Sequence, residues 1–391
     1  MPDSTARSAT ARRAVQSLVA SQIREVANAG MGVAGILPFW FGEPDEITPA
    51  FIREAAAASL ARGETFYSQN CGIPELRDTI ARYVTTLHGA VGAERIAVTA
   101  SGMSALMLTV EALVAPGDRV VVVTPMWPNL VEIPKILAAD VVCVPLDFRQ
   151  GQWQLDVDRL LAAITPDTRI AMINSPNNPT GWTIDREAQA AILAHCRRQG
   201  TWLVADDVYE RLVFDGSDCA PSFFEIADSD DRLVGTNSFS KSWCMTGFRL
   251  GWIVAPPSLM PDLGKLIEYN TSCSPVFVQR AGVAAITEGE VTVARTRARF
   301  KAARDLLVAE LARLPGIDVA LPPGAMYVFF RVAGLTDSLA YCKCLVREAQ
   351  LGLAPGSAFG REGEGFVRWC FAAETARIAD GVARFARFHT E

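Results

Sequence analysis

The sequence predicts an α/β fold, a mostly parallel seven-stranded sheet flanked by helices with a smaller α+β domain beside it. Three observations predict this. Short β-branched runs alternate with longer helical patterns between about residues 95 and 255, as successive βαβ units do. The length of 391 residues is too great for one small domain. Beyond about residue 258 the alternation gives way to a long charged helix and a few shorter strands.

In chain order, a helical pattern from Ala14 to Ala27 precedes a Gly-rich stretch and the turn Gly42-Glu43-Pro44-Asp45. This N-terminal arm is expected to fold against the C-terminal part. The seven strands are expected at Arg95 to Ala100, Arg119 to Thr124, Val141 to Leu146, Arg169 to Asn174, Trp202 to Asp206, Arg232 to Ser238 and Arg249 to Ala255. The helix Ser104 to Val114 stops at Ala115-Pro116-Gly117-Asp118, and Asp185 to Gln199 begins after Thr183 and stops at Gly200. The charged helix contains Arg295, Arg297, Arg299, Lys301 and Arg304, a run read as a solvated face. Strands are expected near Met326 to Arg331 and Phe366 to Phe371. The expected division is residues 1–47 as an arm belonging to the small domain, 48–290 as the large domain and 291–391 as the small C-terminal domain.

Composition excludes several classes. Half the residues are apolar and a fifth charged, which is ordinary for a globular chain and far from disorder. The strongest apolar run, Arg119 to Val123, is too short for a membrane span and reads as a buried strand. A net charge of -6 argues against nucleic acid. Nine scattered cysteines without a CxxC pair indicate a reduced, cytoplasmic protein. The first thirteen residues, rich in Ser, Thr, Ala and Arg, share features with transit peptides but are read as a frayed terminus. His88, His195 and His389 form no metal-ligand spacing, so no metal is expected.

Unusual residues collect at strand ends, where open parallel sheets bind ligands. Ser101-Gly102 follows the first strand, Trp127 the second and Asn174 to Asn178 the fourth; Asp206 closes the fifth and Ser238 to Lys241 follows the sixth. Ser101-Gly102-Met103 opens a helix, and free amides there make an anion site. Alone, such a pair is only an N-cap. Arg249, Ser238 and Ser240 would complete a cradle for a dianion. Lys241, among aromatics and hydroxyls with Arg249 near, would have its ammonium disfavoured and its amine available to a carbonyl. Asp206 ends an apolar run and needs a partner, which a pyridinium nitrogen would supply.

These residues fall in motifs: Asn177-Asn178-Pro179-Thr180-Gly181, Asp206-Asp207-Val208-Tyr209, Ser238-Phe239-Ser240-Lys241 and Arg249-Leu250-Gly251. With Gly42-Glu43-Pro44-Asp45, Thr48-Pro49, Tyr67, Gly72-Ile73-Pro74-Glu75-Leu76-Arg77 and Val367-Arg368, the ordered series resembles the fold-type-I aminotransferases of class I and II, the aspartate aminotransferase family, over almost the whole chain. The resemblance implies a pyridoxal 5'-phosphate enzyme. Lys241 would carry the cofactor as a Schiff base and shuttle the proton from substrate Cα. Asp206 would hold the pyridine nitrogen, Asn178 and Tyr209 the phenolic oxygen, and Trp127 would stack on the ring. Ser101, Gly102, Met103, Ser238, Ser240 and Arg249 would bind phosphate, with Tyr67 reaching across from a second subunit of a homodimer. Arg368, aided by Asn178, would clamp the substrate α-carboxylate, and Gly42 would leave room beside it.

The implied reaction is ping-pong transfer of an amino group between an L-amino acid and a 2-oxo acid such as 2-oxoglutarate. Met103 offers no cation where acid-preferring members can have lysine, and Ile36, Leu37, Phe39, Trp40 and Phe41 make the arm apolar, so aromatic or neutral amino acids are expected. An aspartate aminotransferase using another cation stays open, as does a carbon-sulfur lyase of the same fold. A regulator that borrows the fold for ligand sensing would need a DNA-binding segment, for which the short arm has no room.

Overall fold

The computed structural model describes residues 10–390, so the first nine residues of the expected frayed terminus lie outside the described residues. The seven strands form one sheet: β1 (Ile96–Thr99), β2 (Arg119–Thr124), β3 (Asp140–Pro145), β4 (Thr168–Asn174), β5 (Trp202–Asp206), β6 (Leu233–Ser238) and β7 (Gly251–Val254). Their spatial order is β1-β7-β6-β5-β4-β2-β3. β7 is antiparallel to both its neighbours, and the remaining pairs are parallel. The middles of the inner strands are mostly apolar because both faces of the sheet are covered there, while polar residues gather at strand ends. Val120, Val122, Ile170 and Met172 pack into one layer, and Val121, Val123, Ala171 and Ile173 into the other.

Helices bracket the sheet. We label those used below α1 (Gln22–Gly30), α2 (Pro74–Leu87), α3 (Gly102–Leu113), α4 (Arg186–Gln199), α5 (Glu290–Leu311) and α6 (Ser338–Glu348). α4 starts on Asp185, whose side chain accepts from Ala188 N, and stops at Gly200, whose φ of 71° suits glycine. The N-terminal pattern expected as one helix is two, a single turn at Arg13–Gln16 and then α1. Ser21 restarts the helix, because its side chain accepts the Arg24 amide.

A four-stranded antiparallel sheet is built from β8 (Ile317–Val319), β9 (Tyr327–Val332), β10 (Ala354–Pro355) and β11 (Phe366–Cys370), in the order β8-β9-β11-β10. The arm joins this side, with Leu37 and Pro38 paired to Leu351 and Gly352. The expectation that the basic run on α5 is wholly solvated fails at two residues. Arg304 is buried, lying over the Phe214 ring and donating to the Pro322 carbonyl. Arg299 is covered by Asp45, Glu46 and Glu374, so charge pairing from the arm and the C-terminal segment takes water's place. Among the described residues no helix is long and apolar enough to cross a membrane.

Candidate active site

β1, β2, β4, β5 and β6 end on the same edge of the sheet, and a cavity of about 460 Å³ lies beyond that edge. Strand geometry fixes its floor. Asp206 is the last residue of β5 and buried; Asn174, the last of β4, donates to its carbonyl at 3.0 Å and to its carboxylate at 3.3 Å. Asn174 also accepts the Asn178 amide at 2.8 Å, which ties the Asn177–Gly181 loop to Asp206. Burial pushes the Asp206 carboxyl up to about 7, although the Val208 amide and the charge of Lys241 work against it. Among the described residues it has no ion-pair partner within 4.0 Å.

Lys241 stands three residues past β6 and donates to the Gly42 carbonyl; its Nζ lies 5.9 Å from the Tyr209 ring centroid. Burial, helped by the charges of Arg368 and Arg249, brings its ammonium down to about 8. A useful fraction of free amine is therefore present near neutral pH, as a nucleophile or proton acceptor requires.

An anion cradle lies at the start of α3. Gly102 is its first residue, and Ser238, Ser240 and Arg249 face the same cavity. The Ser101 side chain is not free, since it caps α3 by accepting from Ser104 N at 3.0 Å; what Ser101 offers is its place at the helix start. Close packing sets this corner, because a Cβ on Gly251 would lie 2.5 Å from the Gly102 nitrogen. Ser238 and Ser240 hydroxyls are 2.8 Å apart.

Arg368, in β11, is buried, and its NH1 donates to Asn178 Oδ1 at 3.1 Å while NH2 donates to the Trp40 carbonyl. The Tyr327 and Phe359 rings lie 4.5 and 4.9 Å from its guanidinium carbon. Its Nε has no partner, and no carboxylate neutralises it among the described residues. A buried cation in that condition is built to receive an anion.

Gly42, Gly102, Met103, Trp127, Asn178, Asp206, Tyr209, Ser238, Ser240, Lys241, Arg249 and Arg368 thus face one cavity. Tyr67 does not; it is 89% exposed, beside Phe66 at 85%. A Cβ on Gly42 would meet the Tyr327 hydroxyl at 1.8 Å, so its missing side chain makes room for Tyr327, whose ring lies beside Arg368. Sequence reasoning missed Tyr327, whose hydroxyl lies 2.7 Å from that of Tyr209, and also Arg24 on α1. Tyr327 opens β9 with no motif around it. Arg24 sits in an amphipathic helix, where a lone arginine is ordinarily solvated.

The residues fit pyridoxal phosphate. A buried carboxylate with no ion pair among the described residues matches a protonated pyridine nitrogen, the cluster at the helix start matches a phosphate dianion, and the lysine with its lowered ammonium matches a carbonyl. Together they define a carbonyl-cofactor enzyme built on an open α/β sheet.

Comparison with known proteins agrees. Residues 36–385 match the model of the family described as aminotransferase class I and II. An aspartate aminotransferase of Pyrococcus horikoshii is 33% identical over 94% of each chain. Aromatic-amino-acid aminotransferase 2 of Thermococcus litoralis is 30% identical over 94% of this chain and 95% of that one. A single mutant of Thermus thermophilus aspartate aminotransferase superposes with a TM-score of 0.90 at 30% identity, covering 97% of this chain and 99% of that one. The chain belongs to the class I and II aminotransferases, a family of pyridoxal 5'-phosphate enzymes that transfer amino groups between amino acids and keto acids.

Proposed function

We propose that this aminotransferase moves the amino group of an aromatic or neutral L-amino acid to a 2-oxo acid such as 2-oxoglutarate, by a ping-pong route centred on Lys241. The observation that carries this reading is Arg368, a buried guanidinium with no carboxylate partner among the described residues, facing the same cavity as Lys241 and Asp206. Arg368 binds the α-carboxylate of donor and acceptor alike, with Asn178 fixing the plane of its fork. Pyridoxal phosphate, when bound, supplies an aldehyde and an electron-withdrawing ring. Asp206 keeps the ring nitrogen protonated, and Asn178 and Tyr209 face the phenolic oxygen. Trp127 covers the ring, and Gly102, Met103, Ser238, Ser240 and Arg249 hold the phosphate, with Ser101 setting the helix start. The Lys241 amine, close to half-charged near pH 8, takes the proton from substrate Cα and returns it to the accepting carbon.

Trp40, Phe41, Trp127 and Met103 line the cavity and support the aromatic or neutral preference. The exposed pair Phe66 and Tyr67, with Tyr269 also 89% exposed, supports a homodimer in which Tyr67 completes the partner's phosphate site. Pairing of the arm with Leu351–Gly352 supports residues 1–47 and 291–391 acting as one domain against 48–290. Nine free cysteines support a reducing, cytoplasmic setting.

The test is an absorbance titration of the purified, cofactor-loaded protein with a panel of amino acids. Aromatic and neutral amino acids are expected to convert the yellow form to the pyridoxamine form, and a 2-oxo acid to restore it. Lys241→Ala should lose the lysine-linked band and slow turnover by at least about a thousandfold. A colourless protein indifferent to pyridoxal phosphate would sink the assignment of Lys241.

A further inference from the structure

We infer that Arg24 is a specificity-determining residue, the receptor for the distal carboxylate of a dicarboxylic substrate, so that one cavity serves both an apolar amino donor and a 2-oxoglutarate-like acceptor. The inference rests on the amino-transfer reading above and extends it to the side-chain end of the site. The cavity is lined by four cations, Arg24, Lys241, Arg249 and Arg368, and one anion, Asp206. Lys241 faces the carbonyl, Arg249 the phosphate and Arg368 the α-carboxylate. Arg24 alone is left without an assignment, and among the described residues it forms no ion pair within 4.0 Å and no side-chain hydrogen bond.

Its setting on α1 explains why it is free. The polar neighbours on the helix are tied to the far side, Gln22 accepting from Ser357 at 2.7 Å and Glu25 paired with Lys343 of α6. Ile23 and Val26 are buried. The helix is thereby held in place and Arg24 is turned to the cavity.

Three consecutive arm residues connect it to the chemistry. The Trp40 carbonyl accepts from Arg368, the Gly42 carbonyl accepts from Lys241, and the Phe41 ring between them lies 4.6 Å from the Arg24 guanidinium carbon. Arg24 thus packs on the residue between the two that Arg368 and Lys241 bond, and all three side chains line the one cavity. Stacked on Phe41, a guanidinium keeps its N–H edge open, the geometry that receives a carboxylate through two parallel hydrogen bonds. The same face, with Trp40 and Phe41, accepts an aromatic ring by stacking. This supplies the cation that Met103 does not offer.

The experiment is calorimetric binding of two probes to the cofactor-loaded protein, glutarate and 3-phenylpropionate, which share one carboxylate and differ at the far end. Binding is read without turnover, so failure of the transamination assay and failure of this inference are separate results. Arg24→Gln is expected to raise the glutarate Kd over the 3-phenylpropionate Kd by roughly tenfold to a hundredfold, the usual loss for a charge-assisted pair. Arg24→Lys should restore part of that ratio. A ratio unchanged within about twofold, or equal weakening of both probes, overturns the assignment and leaves Arg24 as a general wall of the cavity.

Discussion

At the scale of single residues, Asp206 shows why a cofactor site is poised against its own fold. Its carboxyl ionises at 3.8 when solvated and at about 7 in the cofactor-free protein, so folding favours the protonated form. The direction follows: the cofactor-free protein loses stability as pH rises from about 4 to 7, and the full penalty persists above that, up to about 4 kcal/mol. Asp206→Asn is therefore expected to raise the unfolding midpoint of the cofactor-free protein at pH 8 and leave it nearly unchanged at pH 4. The same change should abolish most of the added stability that pyridoxal phosphate confers. Thermal unfolding with and without cofactor at both pH values checks this, and an unchanged cofactor-free midpoint at pH 8 would refute the argument. Asp206 and Lys241 stood out in the sequence by their setting, a carboxylate closing an apolar run and a lysine among aromatics and hydroxyls, whereas Arg368 stood out only through its place in the motif series. Tyr327 did not stand out, since its partners Tyr209 and Gly42 are brought to it only by packing.

At the scale of elements, the anion cradle depends on how closely β7 passes behind the start of α3. Gly251 is where they touch: an added methyl would lie 2.5 Å from the Gly102 nitrogen and 2.6 Å from the Ser101 carbonyl carbon. Both atoms, and the Asn237 carbonyl oxygen at 2.8 Å, belong to backbone, so nothing flexible can yield. Gly251→Ala is expected to cost about 1–3 kcal/mol and to weaken pyridoxal phosphate binding by displacing the helix start. Denaturant unfolding and a cofactor titration measure the two effects; loss of stability with intact cofactor affinity would show that the cradle tolerates the shift. The strand ends were readable from β-branched runs closed by polar residues, and every one of the seven strands falls within a few residues of its expected place. β8 and β10 were missed because three and two residues leave no periodicity to read. The split of the N-terminal helical pattern was missed because Leu18–Ala20 keep its apolar character while Ser21 supplies a new cap.

At the scale of the whole molecule, a buried charge network joins the outer helix layer to the sheet behind the site. His88, at the end of α2, contacts Glu210 at 2.8 Å and Glu225 at 3.4 Å, and Glu210 in turn bonds Asn237 of β6 and Tyr83. Burial alone would lower the His88 ring, but the Glu210 hydrogen bond, with the charges of Glu210 and Asp207 and the bond to Glu225, holds it up at about 9. Its folded value lies above 6.5, so the stability it contributes, on the order of 3 kcal/mol, is complete below about pH 6.5 and is lost as pH rises through 9. Wild-type protein should therefore lose stability between pH 7 and 9.5 more steeply than His88→Gln, and unfolding curves across that range decide the matter. The general architecture was evident from the sequence, but this network was not: His88 read as incidental because its acids are more than a hundred residues away.

The place of β7 also has a consequence in time. A ribosome releases β1 and the Ser101–Gly102 corner early, yet the strand that must lie beside β1 is β7, made last of the seven. Until residue 254 emerges, β1 has no strand partner, only its bonds to Cys71 and Arg77, and the nascent chain carries an open strand edge, the feature most prone to pairing with the wrong chain. The arm waits longer still, since Leu37 closes on Leu351. The native pairings of β1 and of the arm thus form late in synthesis, and the window between first and last contact is where a holding chaperone, or cofactor present during synthesis, has most to offer.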